Sequence, residues 1–239
     1  MNEGTYKKHL LVVLLSILAF NYVDQRILGL VLQDIKIEFQ LSDTQLGLLT
    51  GVAFAVFYSV MGVPIARWAD RGNRVAIISV TTLLWSAAVT LYGLAGNFLQ
   101  LLLIRIGVAV GEAGCLPPAH SLIAHHFGRA ERPRAVAIYM LGAPLATIIG
   151  YFVGGWLSQF YGWRATFAML GFPGLVLSAV AWFTLREPRL RPSNAETALP
   201  PPVQSSLTEV CMTLWANRTF RHLLLFFSIV YFFGYGIQK

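Results

Sequence analysis

The chain has 239 residues, 56% hydrophobic and only 12% charged, with a mean hydropathy of +0.62. Soluble domains carry roughly a quarter charged residues and bury at most about three quarters of their surface at this size, so so many apolar side chains exclude a soluble fold. The formal charge is +7; the basic residues fall in alternate loops and not on one soluble face, which argues against a nucleic-acid partner.

Crossing the hydrocarbon takes about 20 apolar residues per helix. In chain order the runs that qualify are 9–33, 44–65, 75–95, 98–123, 135–159 and 164–185. A seventh begins near His222 with LLLFFSIVYFFGYGI. Each is expected to be helical, because an open strand leaves unpaired backbone groups in lipid. The first run is too long for a signal-peptide core and predicts an uncleaved first helix. The organisation expected is a six-helix bundle over 1–185, a linker over 186–220 and the start of a seventh helix over 221–239.

Lys7, Lys8, Arg67, Arg71, Arg74, Arg129, Arg132, Arg134, Arg186, Arg189, Arg191, Arg218 and Arg221 all fall on one side of this arrangement. Lys36 and Arg164 fall on the other. Positive charge collects on the inner face, which predicts a cytoplasmic N-terminus; short loops and the lack of a targeting peptide point to a bacterial inner membrane. The linker opens REPRLRPSNAETALPPP, too Pro-rich to fold alone. SLTEVCMTLWANRTFRH then reads either as an amphipathic helix at the inner surface or as a tether with one frayed helix. Cys115 in a span and Cys211 in a basic loop predict no disulfide.

Gly47/Gly51, Gly107/Gly111 and Gly150/Gly154 are spaced one turn apart and read as close helix contacts. Pro117, Pro118 and Pro144 fall inside spans, where they remove backbone donors and permit bends. Four ionisable residues also lie inside: Asp24 and Arg26 in the first span, Arg105 and Glu112 in the fourth. Each costs on the order of 3 kcal/mol at mid-membrane, so each is expected to face a bundle interior and be paired. At about 1.5 Å per residue, Glu112 comes near the bilayer middle and Arg105 roughly 10 Å outward of it, with Asp24 and Arg26 between those levels. Arg105 and Glu112, seven apart, share a helix face; Asp24 and Arg26, two apart, point to opposite sides and must find partners elsewhere. Asn21 and Gln25 offer hydrogen bonds around Asp24. Such a slab serves as a proton or ion relay, a site for a charged substrate, or a static ion-pair lock between helices.

His120, His125 and His126 sit where the fourth span meets a basic loop, without acids or cysteines at ligand spacing, and read as interfacial residues. No nucleophile motif, phosphate-cradling loop or paired metal carboxylates occur, so neither an enzyme nor a cofactor or metal site is expected.

The stretch ARWADRGNR at 66–74 resembles the signature between the second and third helices of the major facilitator superfamily, G-x-x-x-D-R-x-G-R-[RK]. Asp70, Arg71 and Arg74 match it; Ala66, Asn73 and Val75 replace its other positions. Arg105 with Gly111-Glu112-Ala113 resembles the family's fourth-helix run, Gly142-Ala-Pro144 with Gly154-Gly155 its fifth-helix motif, and Gly162-Trp163-Arg164 with Phe167 the start of its sixth helix. NYVDQRILGLVLQDIK with GEAGCLPPAHSLI is most similar to the spinster-like branch.

That resemblance implies an all-α membrane fold of 3+3 inverted repeats, and a faint echo of the repeat aligns 66–74 on 155–163. It implies a secondary transporter, proton-coupled, moving an organic anion or amphiphile by alternating access; animal members of the branch export lysolipids or sphingoid phosphates. Asp24 and Glu112 are implied as proton-coupling acids, Arg105 and Arg26 as substrate or ion-pair partners, and Asp70, Arg71 and Arg74 as a cytoplasmic gating loop. The superfamily uses twelve helices, so a C-terminal half or a second copy is expected to close the path, among membrane lipids. The rival expectation is a shortened half-unit, inert alone or acting as a membrane-embedded binding or regulatory partner.

Overall fold

The computed structural model describes residues 2–188 and 207–237. Most of the Pro-rich linker therefore lies outside the described residues. The chain divides into two units, Met1–Arg191 and Pro192–Lys239.

The first unit contains α1 (Glu3–Leu30), the short α2 (Leu32–Phe39), α3 (Asp43–Arg71), α4 (Arg74–Leu94), α5 (Phe98–His126) and a helical stretch Arg132–Thr184. All but α2 are long and apolar enough to cross a membrane. The last stretch is 53 residues long, about 80 Å if straight against a hydrocarbon core of about 30 Å. It is divided at Gly162, whose φ of 75° and ψ of 167° are not helical and lie where only glycine sits without strain. The result is α6 (132–161) and α7 (163–184), and six spans in all, as the apolar runs predict.

Short polar residues start the helices. Asn73 Oδ1 accepts from the Ala76 amide at 2.9 Å and Asn97 Oδ1 from the Gln100 amide at 3.0 Å. Ser42 and Gln45 form a reciprocal capping box at the start of α3, each of these satisfying amides that have no partner inside the helix.

Two of the three glycine pairs mark close packing. A Cβ on Gly111 would stand 2.6 Å from the Trp85 amide nitrogen of α4, and one on Gly150 would stand 2.7 Å from Arg26 Cβ of α1. Gly47 and Gly51 have nothing within 4 Å, so the expected contact there is not made among the described residues. α7 runs antiparallel to α4: Arg164 meets the carbonyls of Gly93 and Ala95 at one end, Ser178 donates to the Ser79 carbonyl at 2.7 Å midway, and Glu187 reaches Arg74 at the other.

Three spans are interrupted. α5 opens at 113–115 before restarting at Leu116, because Pro117 and Pro118 lack the amides that would bond the carbonyls of Ala113 and Gly114. α3 and α6 each contain a π-helical segment, Leu48–Val52 and Ile149–Gly154. Burial is uneven: 61% of the apolar window of α1 and of α4 lies inside the unit, but only 11% of that of α3.

The second unit holds α8 (Leu207–Ala216) and α9 (Arg218–Ile237). Asn217 separates them and accepts from the Thr219 amide at 2.9 Å, so α9 starts four residues ahead of the apolar run at His222. The Cys211 side chain lies outside the described residues.

Candidate functional site

Asn21, Asp24 and Gln25 fall at i, i+3 and i+4 and share one face of α1. That face meets α5. Arg105 Nη1 donates to Asp24 Oδ2 at 3.1 Å, with the two side chains 4% and 2% exposed. Gln25 Nε2 donates to Glu112 Oε2 at 2.8 Å, and Asn21 Nδ2 approaches Cys115 Sγ at 3.5 Å. Thus the side chains of Gln25 and Asn21 reach Glu112 and Cys115, while the Gln25 backbone bonds Asp24. α3 and α4 complete the enclosure: the Arg105 guanidinium lies 4.3 Å over the Phe54 ring, a favourable cation–π geometry, and the Tyr92 phenol borders it.

Asp24 and Glu112 lie within hydrogen-bond reach of one another. Asp24 Oδ1 and Glu112 Oε1 are both buried without a donor among the described residues. An ionised carboxylate only accepts, whereas a protonated one also donates, so the two oxygens could satisfy one another only with a proton on one of the acids. The charges agree with this. One guanidinium and two carboxylates sum to −1 in a site closed to water; one proton makes the cluster neutral.

Arg26 stands apart. It packs against Gly150 of α6, its Nε is buried without a hydrogen-bond partner, and it makes no ion pair among the described residues. Of the four intramembrane charges the structure joins three.

The signature loop also divides. Asp70 and Arg71 are exposed, whereas Arg74 is 2% exposed and clasps Glu187. Its backbone amide donates to Glu187 Oε2 at 2.6 Å, its Nε to Oε1 at 3.1 Å, and its Nη1 to the Ser121 carbonyl at 3.2 Å. Sequence reasoning places Glu187 in the linker. The cue to its burial is that it follows span α7 by only three residues, within reach of the buried Arg74. Phe54, Tyr92 and Cys115 carry no charge and leave no comparable cue.

The opposite end has its own clasp. Glu38 accepts from Arg164 Nη2 at 2.5 Å and from Trp163 Nε1 at 2.8 Å; the Arg164 hydrogen bond above all, helped by that from Trp163, holds the Glu38 carboxyl below its ordinary range. At the basic end, Glu131 is held low by its hydrogen bond from Lys7. His126 meets Tyr6 edge-on, and His120 meets Tyr139 edge-on. Among the described residues no three His, Cys, Asp or Glu side chains gather as metal ligands would.

A bundle of six apolar helices enclosing a charged cluster at mid-depth defines an integral membrane protein with a polar interior. The family model of the Major Facilitator Superfamily matches residues 14–238, and the chain belongs to that superfamily. It is similar to an MFS-type efflux pump of Mycolicibacterium smegmatis, 37% identical over 166 residues, which cover 70% of this chain and 39% of the pump. It is similar to protein spinster homolog 1 of Xenopus laevis, 33% identical over 74% of this chain and 34% of that protein. A hexuronate transporter of Bacillus subtilis is 28% identical over 74% of this chain and 42% of its own length. Among solved structures, a bacterial homolog of the human lysosomal transporter spinster, inward-facing and unoccupied, superposes with a TM-score of 0.82 at 37% identity, covering 97% of this chain and 54% of that one. Its inward-facing, occupied form gives 0.72 at 40% identity, over 77% of this chain and 45% of that one. The chain is spinster-like, and it spans about half the length of the proteins it matches, or less.

Proposed function

We propose that the chain forms the proton-handling half of a secondary transporter that moves an organic anion or an anionic amphiphile by alternating access, with Asp24 and Glu112 as the proton-coupling acids. The observation that carries this reading is the Arg105–Asp24–Glu112 cluster, one base and two acids with Asp24 against both of the others and two carboxylate oxygens left without donors. Proton binding neutralises the cluster; proton release leaves a net negative charge beside Arg105. Because the field inside a membrane protein is poorly screened, that single charge biases both the packing of α1 against α5 and the affinity of the interior for an anion. Arg26, a second cation without a carboxylate partner, is the group available to a substrate anion. The family's relatives include proteins named for hexuronate and for efflux, which suits an anionic cargo. The basic end, with Lys7, Arg74, Arg132 and Arg186, faces the cytoplasm of a bacterial inner membrane, and exposed Asp70 and Arg71 make the gating contacts there.

A second body is needed to close the path. Val52, Val56, Val60 and Val63 are 48–57% exposed along one stripe of α3, the span that buries least within its own unit. Another six-helix half, or a second copy of this chain, covers α3 in this reading; membrane lipids cover the remaining apolar faces. The competing role, a half-unit that binds or regulates but does not transport, predicts the same stripe without any flux.

Reconstitution separates these readings. Liposomes holding the protein, with chemical crosslinking to report its oligomeric state, are given a proton gradient and a labelled hexuronate or a labelled lysophospholipid. Gradient-driven movement of either probe, abolished by a protonophore, supports the transporter; a crosslinked or monomeric protein that moves neither contradicts it.

A further inference from the structure

A proton held between Asp24 and Glu112 needs a way out, since that cluster is closed by Phe54, Tyr92 and the helix backbones. From Glu112 toward the basic end of the bundle, polar side chains follow in sequence. Cys115 comes first, within electrostatic reach of Glu112 and in contact with Asn21. Tyr139 of α6 lies near Cys115, with Tyr22 of α1 and Tyr58 of α3 around it. Against Tyr139 stands His120, the ring centroids 5.5 Å apart at an interplanar angle of 86°. His120 is eight positions beyond Glu112, about 12 Å along the helix, and half-buried where Glu112 is closed off. The break at 113–115 leaves the carbonyls of Ala113 and Gly114 without the amides that Pro117 and Pro118 lack, midway along the line. Among the charged groups on neighbouring elements, Arg74 of α4 bonds Ser121, the residue after His120.

We propose that His120 is the proton port of the acid pair at the basic end of the bundle. This rests on the reading of Glu112 as a proton-binding group. The Glu112 O–H bond breaks and its proton passes through the Tyr139 hydroxyl and intervening water to a ring nitrogen of neutral His120. The imidazolium then releases a proton to bulk water, leaving Glu112 as a carboxylate and His120 neutral again. Histidine suits the position because its ring exchanges protons near neutral pH. Tyr22 and Tyr58 keep the line polar from the two flanking helices.

The test is a pH jump on the full chain in lipid bilayers, followed by time-resolved infrared difference spectroscopy. The protonated-carboxyl band of Glu112 is assigned by its loss in Glu112→Gln. In His120→Asn that band is expected to relax at least tenfold more slowly, and added free imidazole is expected to restore the rate. His120→Gln gives the same reading should the Asn variant fail to fold. A relaxation as fast as wild type overturns the port. So does a slow relaxation that imidazole leaves unchanged, because the ring then acts only by packing on Tyr139. A wild-type spectrum without any Glu112 band defeats the reading of Glu112 itself, and the port with it.

Discussion

Arg74 and Glu187 clasp each other at the basic end of the bundle, the start of α4 held to the residues that follow α7 through a backbone amide and a guanidinium on one carboxylate. Both side chains are nearly closed to solvent, at 3% and 2% exposure. Removing one partner of a buried pair strands the other and costs about 3–5 kcal/mol. Glu187→Ala is therefore expected to lower the Tm of the purified protein by many degrees, and Glu187→Asp by less. Differential scanning fluorimetry in detergent measures both, and a Glu187→Ala Tm equal to wild type would show that the clasp carries no stability.

Asp24 and Arg105 invite a double-mutant cycle. Asp24→Asn leaves a buried guanidinium without its carboxylate, and the penalty of that stranded charge is relieved when Arg105→Gln is added. The double variant is expected to be more stable than Asp24→Asn alone. Arg105→Lys keeps the charge but loses the flat face over Phe54 and the forked donor set, so it is expected to fall between wild type and the single Asn variant. Thermal melts of wild type, the two single variants of the cycle, the double variant and Arg105→Lys read out the order.

The Glu38 clasp at the opposite end is pH-sensitive in a defined direction. Its carboxyl is held below its ordinary range by Arg164 and Trp163. A depressed acid contributes stability that is complete above its unfolded value and is lost as pH falls through the lower folded value. Between pH 7 and 5 the clasp is expected to be intact; it opens only once the pH has fallen below the ordinary glutamate range. Trp163 donates directly to Glu38 at 2.8 Å, so the acid transition is expected in tryptophan emission and is expected to vanish in Glu38→Gln.

The glycines give a contrasting pair. A Cβ at Gly111 would stand 2.6 Å from the Trp85 amide nitrogen and 2.9 Å from the Thr81 carbonyl oxygen, so α4 and α5 must part to admit it. Overpacking of this kind costs about 1–3 kcal/mol, and Gly111→Val is expected to lower Tm and the yield of monodisperse protein. Gly47→Ala meets nothing within 4 Å and is expected to leave both unchanged. Size-exclusion profiles and melts decide.

Much of the fold is legible in the sequence. Each span is an apolar run long enough for the bilayer, and most are bounded by charge, the uncharged turn at 95–98 between α4 and α5 being the exception. The depth of Asp24, Arg105 and Glu112 is legible too, because rise per residue is fixed. Which charges meet is not. Pairing depends on how helices rotate against one another, and α1 turns Asp24 to α5 but Arg26 to α6, where Gly150 lets the backbones approach. Glu187 is misplaced for another reason: REPR is a run of charge beside prolines, which reads as solvent-facing tether until Arg74 is found buried opposite it. Gly47 and Gly51 share the spacing of the packed pairs but lie on the least buried span, and spacing alone does not say which helix has a neighbour.

The account centres on Glu112 as the group whose protonation drives movement of an anion. The most direct measurement sets Glu112→Gln beside wild type in proteoliposomes, recording both exchange of labelled probe across the membrane and its accumulation against a gradient under a proton gradient. The account predicts that the variant still exchanges probe at equilibrium but no longer accumulates it. Accumulation in Glu112→Gln that matches wild type, with the same dependence on the proton gradient, would contradict it.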